Sequence, residues 1–534
     1  MAGRADAHHD AELQLFTAGT FAVPGMEDVE AFATIGDRIV AVGTTDHLRA
    51  RFPGAPRTDF GDVTVLPGFN DAHMHPSKAA DYGLVANLAP PAVQDLDDLY
   101  ATLRRQAERS DQGEWIRGAR YDQGKTSGGV FIDRTHLDQV STDRPIYVRH
   151  ISGHFGILNS RALEVIGVDR DTPDPTGGEI RRDADGEPTG ILVGRAQERV
   201  IAAVPPLELD DSIDGLRTLA EDLHASGITS VTDAMVMPAG LELFQEARRR
   251  DAFRLRTNLL LSWKCLDMLD ELQLRSEFGD EWLRFGGIKA TWDGAVAGRT
   301  CFMEEPFDGT DDHGLLLMSK DEIEMVVDRV HRTGSRLAIH ANGDAAISSL
   351  LDVFEATVAR HGPGPVRHRI EHGSIVNPDI LRRAAALDLI IVPLFSYVWF
   401  HGEKITEFFG QDRLGRTIAC RSMLDAGITV AGSSDFGAGP FPPLANIEAV
   451  VTRRDWDGRD LDASQAITVD EAIHAYTVAA AETSGEAHLK GRIAPGHLAD
   501  FVVLEQDPRA IDPDDLADLP VLSTWIGAEQ VWSR

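Results

Sequence analysis

The sequence predicts a (β/α)8 barrel, an α/β fold, and three observations indicate it. Apolar segments of strand length alternate with amphipathic segments of helix length over most of the 534-residue chain. Several strand candidates end in histidine or aspartate, as expected where the carboxyl ends of barrel strands form an active-site mouth. Eight such candidates are found, at 63–69, 228–234, 255–263, 286–292, 335–341, 368–374, 389–395 and 428–435.

One long interval interrupts the alternation. About 150 residues separate the first two strand candidates, so we predict an insertion over residues 80–205. Within it, residues 172–190 carry glycine and proline turns between strand-like pieces. Short strand candidates divided by glycine also occupy residues 13–66 and return near the end of the chain, at 500–508 and 524–532.

Composition is that of a globular protein and excludes several partners. Hydrophobic residues make up 43% and charged residues 26% of the chain, enough for a sizeable core. With 52 basic and 85 acidic residues, the net charge of −33 repels phosphate and anionic lipid, so neither nucleic acid nor a membrane surface is an expected partner. The longest apolar run, 389–400, is too short to span a bilayer. Three scattered cysteines and a start without a signal-peptide pattern predict a soluble, cytoplasmic protein without a disulfide framework.

Histidine and aspartate at four strand ends form a candidate metal site. His73 and His75 are two residues apart, so on an extended strand both imidazoles project from one face and can share a cation. His340, His372 and Asp435 each end another strand candidate and would meet them at the barrel mouth. An isolated HxH pair is equally consistent with a polar surface loop, but five such residues on four strand ends are hard to attribute to chance.

Lys289 is one of only seven lysines and lies inside the apolar segment 286–292. Burial disfavours the ammonium form and lowers the lysine pKa. A neutral amine can add CO2 and become a carbamate, an anionic ligand whose two oxygens can bridge two divalent cations. The alternative is a lysine that reaches solvent or pairs with Asp293. The histidine set favours the ligand.

At this point the chain resembles the amidohydrolase superfamily, and within it the amidohydrolase-3 (YtcJ-like) branch, which includes N-substituted formamide deformylases. The resemblance covers nearly the whole chain and implies a distorted (β/α)8 TIM barrel at 67–485, with the insertion after barrel strand 1. It also implies a composite β-sandwich formed by 1–66 and 486–534, and it is compatible with a homodimer. The motifs that carry it are LPGFNDAHMHP, RPIYVRHISGHFGILNSRAL, GGIKATWDGAVAGRT, LAIHANGDAAI, HRIEHGS, AGSSDFG and LKGRIAPGHLADFVVLEQDP.

The resemblance also assigns roles to the candidate ligands. His73 and His75 would bind one divalent metal, with zinc favoured. His340 and His372 would bind a second ion, and a carbamate on Lys289 would bridge the two; without the carbamate the site would hold one ion. Asp435 would contact the metal and shuttle a proton while metal-bound hydroxide attacks a substrate carbonyl.

One feature of the same motifs speaks against deamination. Mononuclear deaminases of the superfamily carry a glutamate three residues after the histidine of strand 5. This chain has Gly343 at that position after His340.

Substrate-binding candidates are aromatic residues and one histidine. Phe395, Tyr397 and Trp399 follow the seventh strand candidate and would line an apolar pocket, although ordinary loop packing explains them equally well. Trp292 is a weaker candidate of the same kind. By the resemblance, His154 would close over the substrate and donate a hydrogen bond to its carbonyl, with a structural histidine as the alternative.

Four further polar residues stand near these motifs. Asp293 and Arg299 flank the segment after the fourth strand and are candidates to orient metal ligands, or to form a plain salt bridge. Arg149 and His150, beside His154, receive no role of their own.

Together the residues and the resemblance predict a metal-dependent hydrolase that acts on a small molecule at a C–N bond other than a peptide bond. A linear amide is favoured, and an N-substituted formamide with an apolar substituent is the sharpest version. A carbamate, a cyclic amide or an ester remains an alternative at the same site, as does a non-catalytic binding or regulatory descendant. The complete ligand set, including Asp435, speaks against the non-catalytic alternative.

Overall fold

The computed structural model describes residues 12–21, 29–90, 92–110 and 114–534. Within them, one parallel sheet of eight strands wraps into a barrel, and a short strand, Phe278–Gly279, pairs antiparallel with the fourth. The predicted distorted (β/α)8 barrel is thereby confirmed. The barrel strands, numbered one to eight along the chain, are Phe69–Met74, Ile228–Val236, Arg256–Ser262, Leu283–Thr291, Leu337–Ala341, Arg369–His372, Ile390–Val392 and Thr429–Val430.

The segment 63–69, predicted as the first barrel strand, contains a strand of another sheet and only the first residue of barrel strand 1. Thr64–Pro67 pairs with Phe501–Leu504 near the end of the chain, whereas Phe69–Met74 pairs with barrel strand 2. The chain changes sheets at Gly68, where an added Cβ would lie 2.3 Å from the Thr229 side chain. A glycine is therefore required for this close crossing.

Backbone hydrogen bonds close the barrel between its first strand and the segment after its last strand. The Ala72 N–H donates to the Gly432 carbonyl at 3.2 Å, and the Asp435 N–H donates to the His73 carbonyl at 2.9 Å. This closure places His73 of strand 1 and His75, just after its end, directly beside Asp435.

Amphipathic helices alternate with the barrel strands and bury their apolar faces. Lys320–Thr333, for example, begins with a capping box of Ser319 and Glu322 and ends at Gly334, whose φ of +70° suits glycine. The helices that follow the insertion are Leu209–Ala225, Pro238–Arg249, Leu266–Glu271, Lys320–Thr333, Asp344–His361, Pro378–Ala386, Phe395–Phe400, Gly402–Phe409, Cys420–Asp425, Pro443–Thr452, Val469–His474 and Ala480–Thr483.

The segment between barrel strands 1 and 2 forms its own mixed sheet. Its strands, in spatial order, are Gly178–Arg182, Pro188–Gly194, Phe155–Leu158, Ile146–His150, Ile116–Tyr121 and Ala86–Asn87. A separate apolar cluster, with Leu103, Tyr121 and Phe155 among its buried members, stabilises this sheet. Helices of the segment are Pro76–Ala79, Leu96–Arg109, Gln123–Thr126, Arg134–Asp138, Ser160–Ile166 and Glu198–Ala203.

Two further sheets form the composite part of the fold. One contains, in spatial order, the strands Arg38–Gly43, Ala31–Ile35, Leu13–Thr17 and Arg57–Asp59. Helix Thr45–Arg51 follows strand Arg38–Gly43 along the chain. The other joins both chain ends and contains Thr20–Phe21, Thr64–Pro67, Phe501–Leu504, Val521–Ile526 and Glu529–Ser533. Stacked and edge-on rings of Phe16, Phe32 and Phe501 fill the space between the two sheets. The domain boundaries drawn from the sequence stay a prediction.

Among the described residues, no helix combines the length and the apolar character that a bilayer span demands.

Candidate metal centre and substrate cavity

A cavity of about 690 Å³ lies at the carboxyl ends of the barrel strands. All six ligand candidates contribute to its wall, as do His154 and Tyr397. The six candidates are His73, His75, Lys289, His340, His372 and Asp435. Residues that are far apart in the sequence therefore face one cavity.

His73, His75 and Asp435 form the tightest group in this cavity. His75 Nε2 lies 3.1 Å from Asp435 Oδ1, and His73 Nε2 lies 3.8 Å from the same oxygen. One ligand atom from each of the three residues falls within 4.8 Å of the others. The His75 Nδ1–H donates to the Ala234 carbonyl at 2.9 Å, which leaves the Nε2 lone pair directed at Asp435.

A buried carboxylate that the sequence reasoning missed orients His73. Glu371 Oε2 accepts a hydrogen bond from His73 Nδ1, and Arg369 holds Glu371 through two hydrogen bonds of 2.7 and 2.8 Å. All three side chains are at most 1% exposed. The contact fixes the His73 tautomer with Nε2 free, which is how a carboxylate commonly supports a metal-binding histidine. The motif HRIEHGS contained the signal, because Glu371 directly precedes a predicted ligand.

Lys289 is buried at the same centre. Its Nζ lies 3.5 Å from His73 Nε2. Burial lowers the pKa of Lys289 to about 7, although Glu371 and Asp435 act in the opposite direction. Near neutral pH a large fraction of the amine is therefore uncharged, as carbamate formation requires.

His340 and His372 complete the histidine group. Their ring centroids are 4.5 Å apart, and the His372 ring lies 4.9 Å from that of His73. His340 Nε2 lies 3.0 Å from the Gly294 carbonyl oxygen and 2.8 Å from Asn342 Nδ2. The buried Nδ1 of His372 has no hydrogen-bond partner among the described residues.

Two of the six candidates have a left-handed backbone. The φ angles are +77° at His372 and +50° at Asp435. Non-glycine residues seldom adopt this conformation, and it is often found where a side chain is held for function. At His372 it also interrupts strand alternation, so that both Glu371 and His372 contact the site.

The donor set fits a divalent cation. Burial, as the largest effect, holds the pKa of His73, His340 and His372 well below the usual range, so these imidazoles are neutral. The neutral imidazole is the form that binds metal. Each of His73 and His75 uses one ring nitrogen for a protein acceptor and keeps the other for the cavity, and His372 keeps an unpartnered buried nitrogen.

Asp293 and Arg299 differ in their relation to the site. Asp293 is fully buried and accepts the backbone N–H groups of Asn342, Gly343 and Phe302, each at 2.9 Å, so it fixes the loop that follows His340. Burial raises the pKa of Asp293 to about 7. Arg299 is 43% exposed and has its nearest carboxylate, that of Asp312, at 4.0 Å.

His154 reaches the cavity from the insertion. Its ring centroid lies 5.4 Å from that of His340. Burial lowers the pKa of His154 to about 4, which leaves a neutral imidazole able to donate one hydrogen bond.

The aromatic candidates divide, and only Tyr397 faces the cavity. Residues 395–400 form a helix, which places Phe395 and Trp399 on one side, four residues apart, and Tyr397 on another. Phe395 packs edge-on against Tyr476, and Trp399 donates to Asn446 Oδ1 at 3.1 Å. The expectation that Phe395 and Trp399 line the pocket is corrected accordingly.

Trp292 is also absent from the cavity wall. It is 2% exposed, and its indole N–H faces Ala346 O at 3.0 Å and Ser349 Oγ at 3.1 Å. Its side chain points from the end of strand 4 towards helix Asp344–His361, which follows strand 5, so packing rather than substrate contact explains this residue.

Comparison with known proteins gives matches over most of the chain. The Amidohydrolase family profile matches residues 59–532, and that of an imidazolonepropionase-like composite domain from bacteria matches residues 31–55. The N-substituted formamide deformylase of Arthrobacter pascens is 32% identical over 515 residues, which cover 93% of this chain and 94% of that protein. YtcJ of Bacillus subtilis (strain 168) is 28% identical over 509 residues, 93% of this chain and 94% of its own.

A solved structure has the same fold. The crystal structure of an uncharacterized metal-dependent hydrolase from Pyrococcus horikoshii OT3 superimposes with a TM-score of 0.76 at 23% identity. The match covers 94% of this chain and 99% of that one.

Proposed function

The chain belongs to the amidohydrolase family, and from this premise we propose that it is a metal-dependent hydrolase of a C–N bond other than a peptide bond. The sharpest form of the proposal is hydrolysis of an N-substituted formamide to formate and an amine. The relative that is 32% identical and named for formamide deformylation supports this substrate class. The family match alone does not distinguish it from a carbamate, a cyclic amide or an ester.

The observation that carries the proposal is the convergence of His73, His75 and Asp435. Three ligand atoms within 4.8 Å of one another, from two distant parts of the chain, suit one cation. His340 and His372 would hold a second ion, and Lys289 would bridge the two if it is carbamylated. Zinc is the metal that this nitrogen and oxygen set favours.

A divalent ion bound here would lower the pKa of a water molecule and polarise a carbonyl oxygen. The protein's own residues then perform three tasks. Glu371 and Arg369 keep His73 in one tautomer and orientation, Asp293 keeps the loop after His340 in place, and the cavity wall positions the reacting amide.

Asp435 is the proposed proton carrier. Its Oδ1, 3.1 Å from His75 Nε2, stands at the edge of the ligand group and faces the cavity. The carboxylate would take the proton of the attacking water and deliver it to the departing nitrogen, which leaves as a neutral amine rather than as an amide anion.

Two cavity residues would act on the substrate itself. The neutral His154 imidazole would donate a hydrogen bond to the carbonyl oxygen as negative charge develops on it. Tyr397, whose pKa burial holds well above the usual range, stays a neutral phenol and would contact the substrate as a donor.

A substrate panel on the metal-loaded enzyme tests the proposal. Purified protein is loaded with zinc or manganese in bicarbonate and assayed with formamides, longer amides, carbamates, cyclic amides and esters. We expect the highest kcat/KM for an N-substituted formamide such as N-benzylformamide. A preference for another class would overturn the formamide assignment, and no turnover together with no bound metal would favour a binding protein.

A further inference from the structure

The active-site cavity contains a group of cationic side chains that the metal chemistry does not use. Arg120 and Arg149 enter from the insertion sheet, and Lys78 enters from the short helix that follows barrel strand 1. Tyr82 lies with them in the cavity wall. We call these three cations and Tyr82 the cationic wall.

Tyr82 organises the cationic wall around its ring. The guanidinium carbons of Arg120 and Arg149 lie 5.8 and 5.9 Å from the ring centroid. The Tyr82 hydroxyl packs so closely on Gly437 that an added Cβ there would lie 1.9 Å from the oxygen. Tyr82 thus connects the arginines to the loop that carries Asp435.

The cations of this wall form no ion pair among the described residues, although Asp233 and Asp435 act on Lys78 at longer range. Among the described residues, no salt bridge or side-chain hydrogen bond joins Arg120, Arg149 or Lys78 to another group, and the buried Arg120 Nε is without an acceptor. Asp81 feels the charge of Arg149 without forming an ion pair, and Asp233 accepts the Ser77 backbone N–H at 2.8 Å.

Other cations in the same cavity are neutralised. Lys264 Nζ lies 2.6 Å from Glu198, and Arg195 lies 3.6 Å from Glu198 and 3.3 Å from Glu322. Apart from Lys289 at the histidine cluster, the cations of this cavity that form no ion pair among the described residues therefore lie beside Tyr82. Such a group is conspicuous in a chain with 85 acidic and 52 basic residues.

The cationic wall lies close to the loop that carries Asp435. The guanidinium carbon of Arg120 lies 5.6 Å from the ring centroid of Phe436, the residue after Asp435. The Arg120 backbone has a φ of +64°, an unfavourable conformation for arginine. The Arg120 guanidinium is thus separated from the loop of Asp435, the proposed proton carrier, by the ring of Phe436.

We propose that the substrate of this site carries a carboxylate that binds to Arg120, Arg149 and Lys78 while its amide lies at the histidine cluster. Guanidinium groups pair with carboxylates through two parallel hydrogen bonds, and desolvation in a cavity strengthens them. The inference rests on the proposed function and narrows its substrate class to amides with an anionic substituent.

Two formamides that differ only in charge test the inference. One is 4-(formamidomethyl)benzoate, and the other is its uncharged carboxamide, 4-(formamidomethyl)benzamide. For the wild type we expect kcat/KM to favour the carboxylate by about tenfold or more, as charge-assisted hydrogen bonds allow. Arg149→Met and Arg120→Met should each bring the ratio close to one, and Arg149→Lys should restore part of it.

Arg117→Met is the matched control. Arg117 lies on the same strand as Arg120, carries the same charge and is not part of the cavity wall. Its removal should change the ratio less than twofold. A wild-type ratio near one, or a ratio that Arg149→Met and Arg120→Met leave unchanged in folded protein, would overturn the inference.

Binding measurements separate this inference from the proposed function. Calorimetry of both compounds with the Asp435→Asn variant needs no turnover. If neither formamide is hydrolysed, the proposed formamide activity fails, yet tighter binding of the carboxylate that Arg149→Met abolishes would still uphold the cationic wall as an anion site. Hydrolysis of both compounds with equal binding would uphold the function and refute the inference.

Discussion

The two sides of the cavity differ in charge: the barrel side presents neutral histidines, and the insertion side presents arginines without ion pairs. On the barrel side, His73, His75 and His340 each contact a carboxylate, carbonyl or amide of the protein. Burial lowers the pKa of His73, His340 and His372, so these imidazoles are neutral. On the insertion side, the guanidinium groups of Arg120 and Arg149 form no ion pair among the described residues. The barrel side is suited to a cation, and the insertion side is suited to an anion.

This difference suggests that the barrel and the insertion have different roles in the proposed reaction. The barrel strands end in a set of candidate ligands that would serve many hydrolytic reactions at a metal. The insertion supplies side chains around the space that the rest of the substrate would occupy. On our proposals, the chemistry and the substrate selection reside in different segments, so variants should disturb one without the other.

Asp435→Asn should have the largest effect and should act on the barrel side alone. Asparagine cannot accept and return a proton, so we expect kcat to fall about a thousandfold, within the range that general acid–base groups provide. Metal content, measured by elemental analysis, should remain. Substantial residual turnover would remove Asp435 from the proton-transfer role.

Asp122→Asn should weaken the attachment of the insertion to the barrel. Asp122 Oδ1 lies 2.6 Å from Lys404 Nζ, and both residues are buried. Loss of one partner leaves a buried charge unpaired, so the free energy of unfolding should fall by about 3 kcal/mol.

Chemical denaturation checks this change against Asp457→Asn, which disrupts the exposed pair with Arg459 and should cost about 0.5 kcal/mol or less. If the two variants were equally stable, the buried pair would not hold the insertion in place.

Glu371→Gln should loosen metal binding without touching the cationic wall. Glutamine still contacts His73 but loses the negative charge that fixes its tautomer, so metal affinity should drop about tenfold to a hundredfold. Competition with a zinc indicator measures it. Glu355→Gln, which affects the half-exposed pair with Arg383, should leave the affinity unchanged, and equal losses in both variants would contradict the role of Glu371.

Lys289 should make metal loading depend on pH. Because burial brings its pKa to about 7, the neutral amine changes from the minor to the major form between about pH 6 and 8. At constant dissolved CO2, loading of the metal-free protein should therefore become severalfold faster as pH rises and level off above that range. A Lys289→Met variant should lack the rise, and a flat wild-type profile would contradict carbamate formation.

The sequence was sufficient to predict the barrel, and also that the candidate ligand residues meet at one cavity, because both follow periodic patterns. Strand alternation predicted that His73 and His75 share a face, and strand ends located His340, His372 and Asp435. Glu371 was missed because the left-handed backbone at His372 interrupts that alternation, so two successive residues contact the site.

Sequence patterns could not predict where side chains point on the insertion and on the helix after strand 7. Phe395 and Trp399 were expected in the pocket, but helical spacing turns them into the core. Arg149 received no role, because an unpaired charge is visible only once every nearby carboxylate has been located. Such pairings depend on tertiary packing between distant segments.

The most direct test of the central claim is a metal titration of the metal-free protein in bicarbonate, followed by hydrolysis of N-benzylformamide. The account predicts no turnover without metal and activity that rises to a plateau at one or two equivalents of zinc. Equal turnover by the metal-free protein, or none at saturating metal, would contradict it.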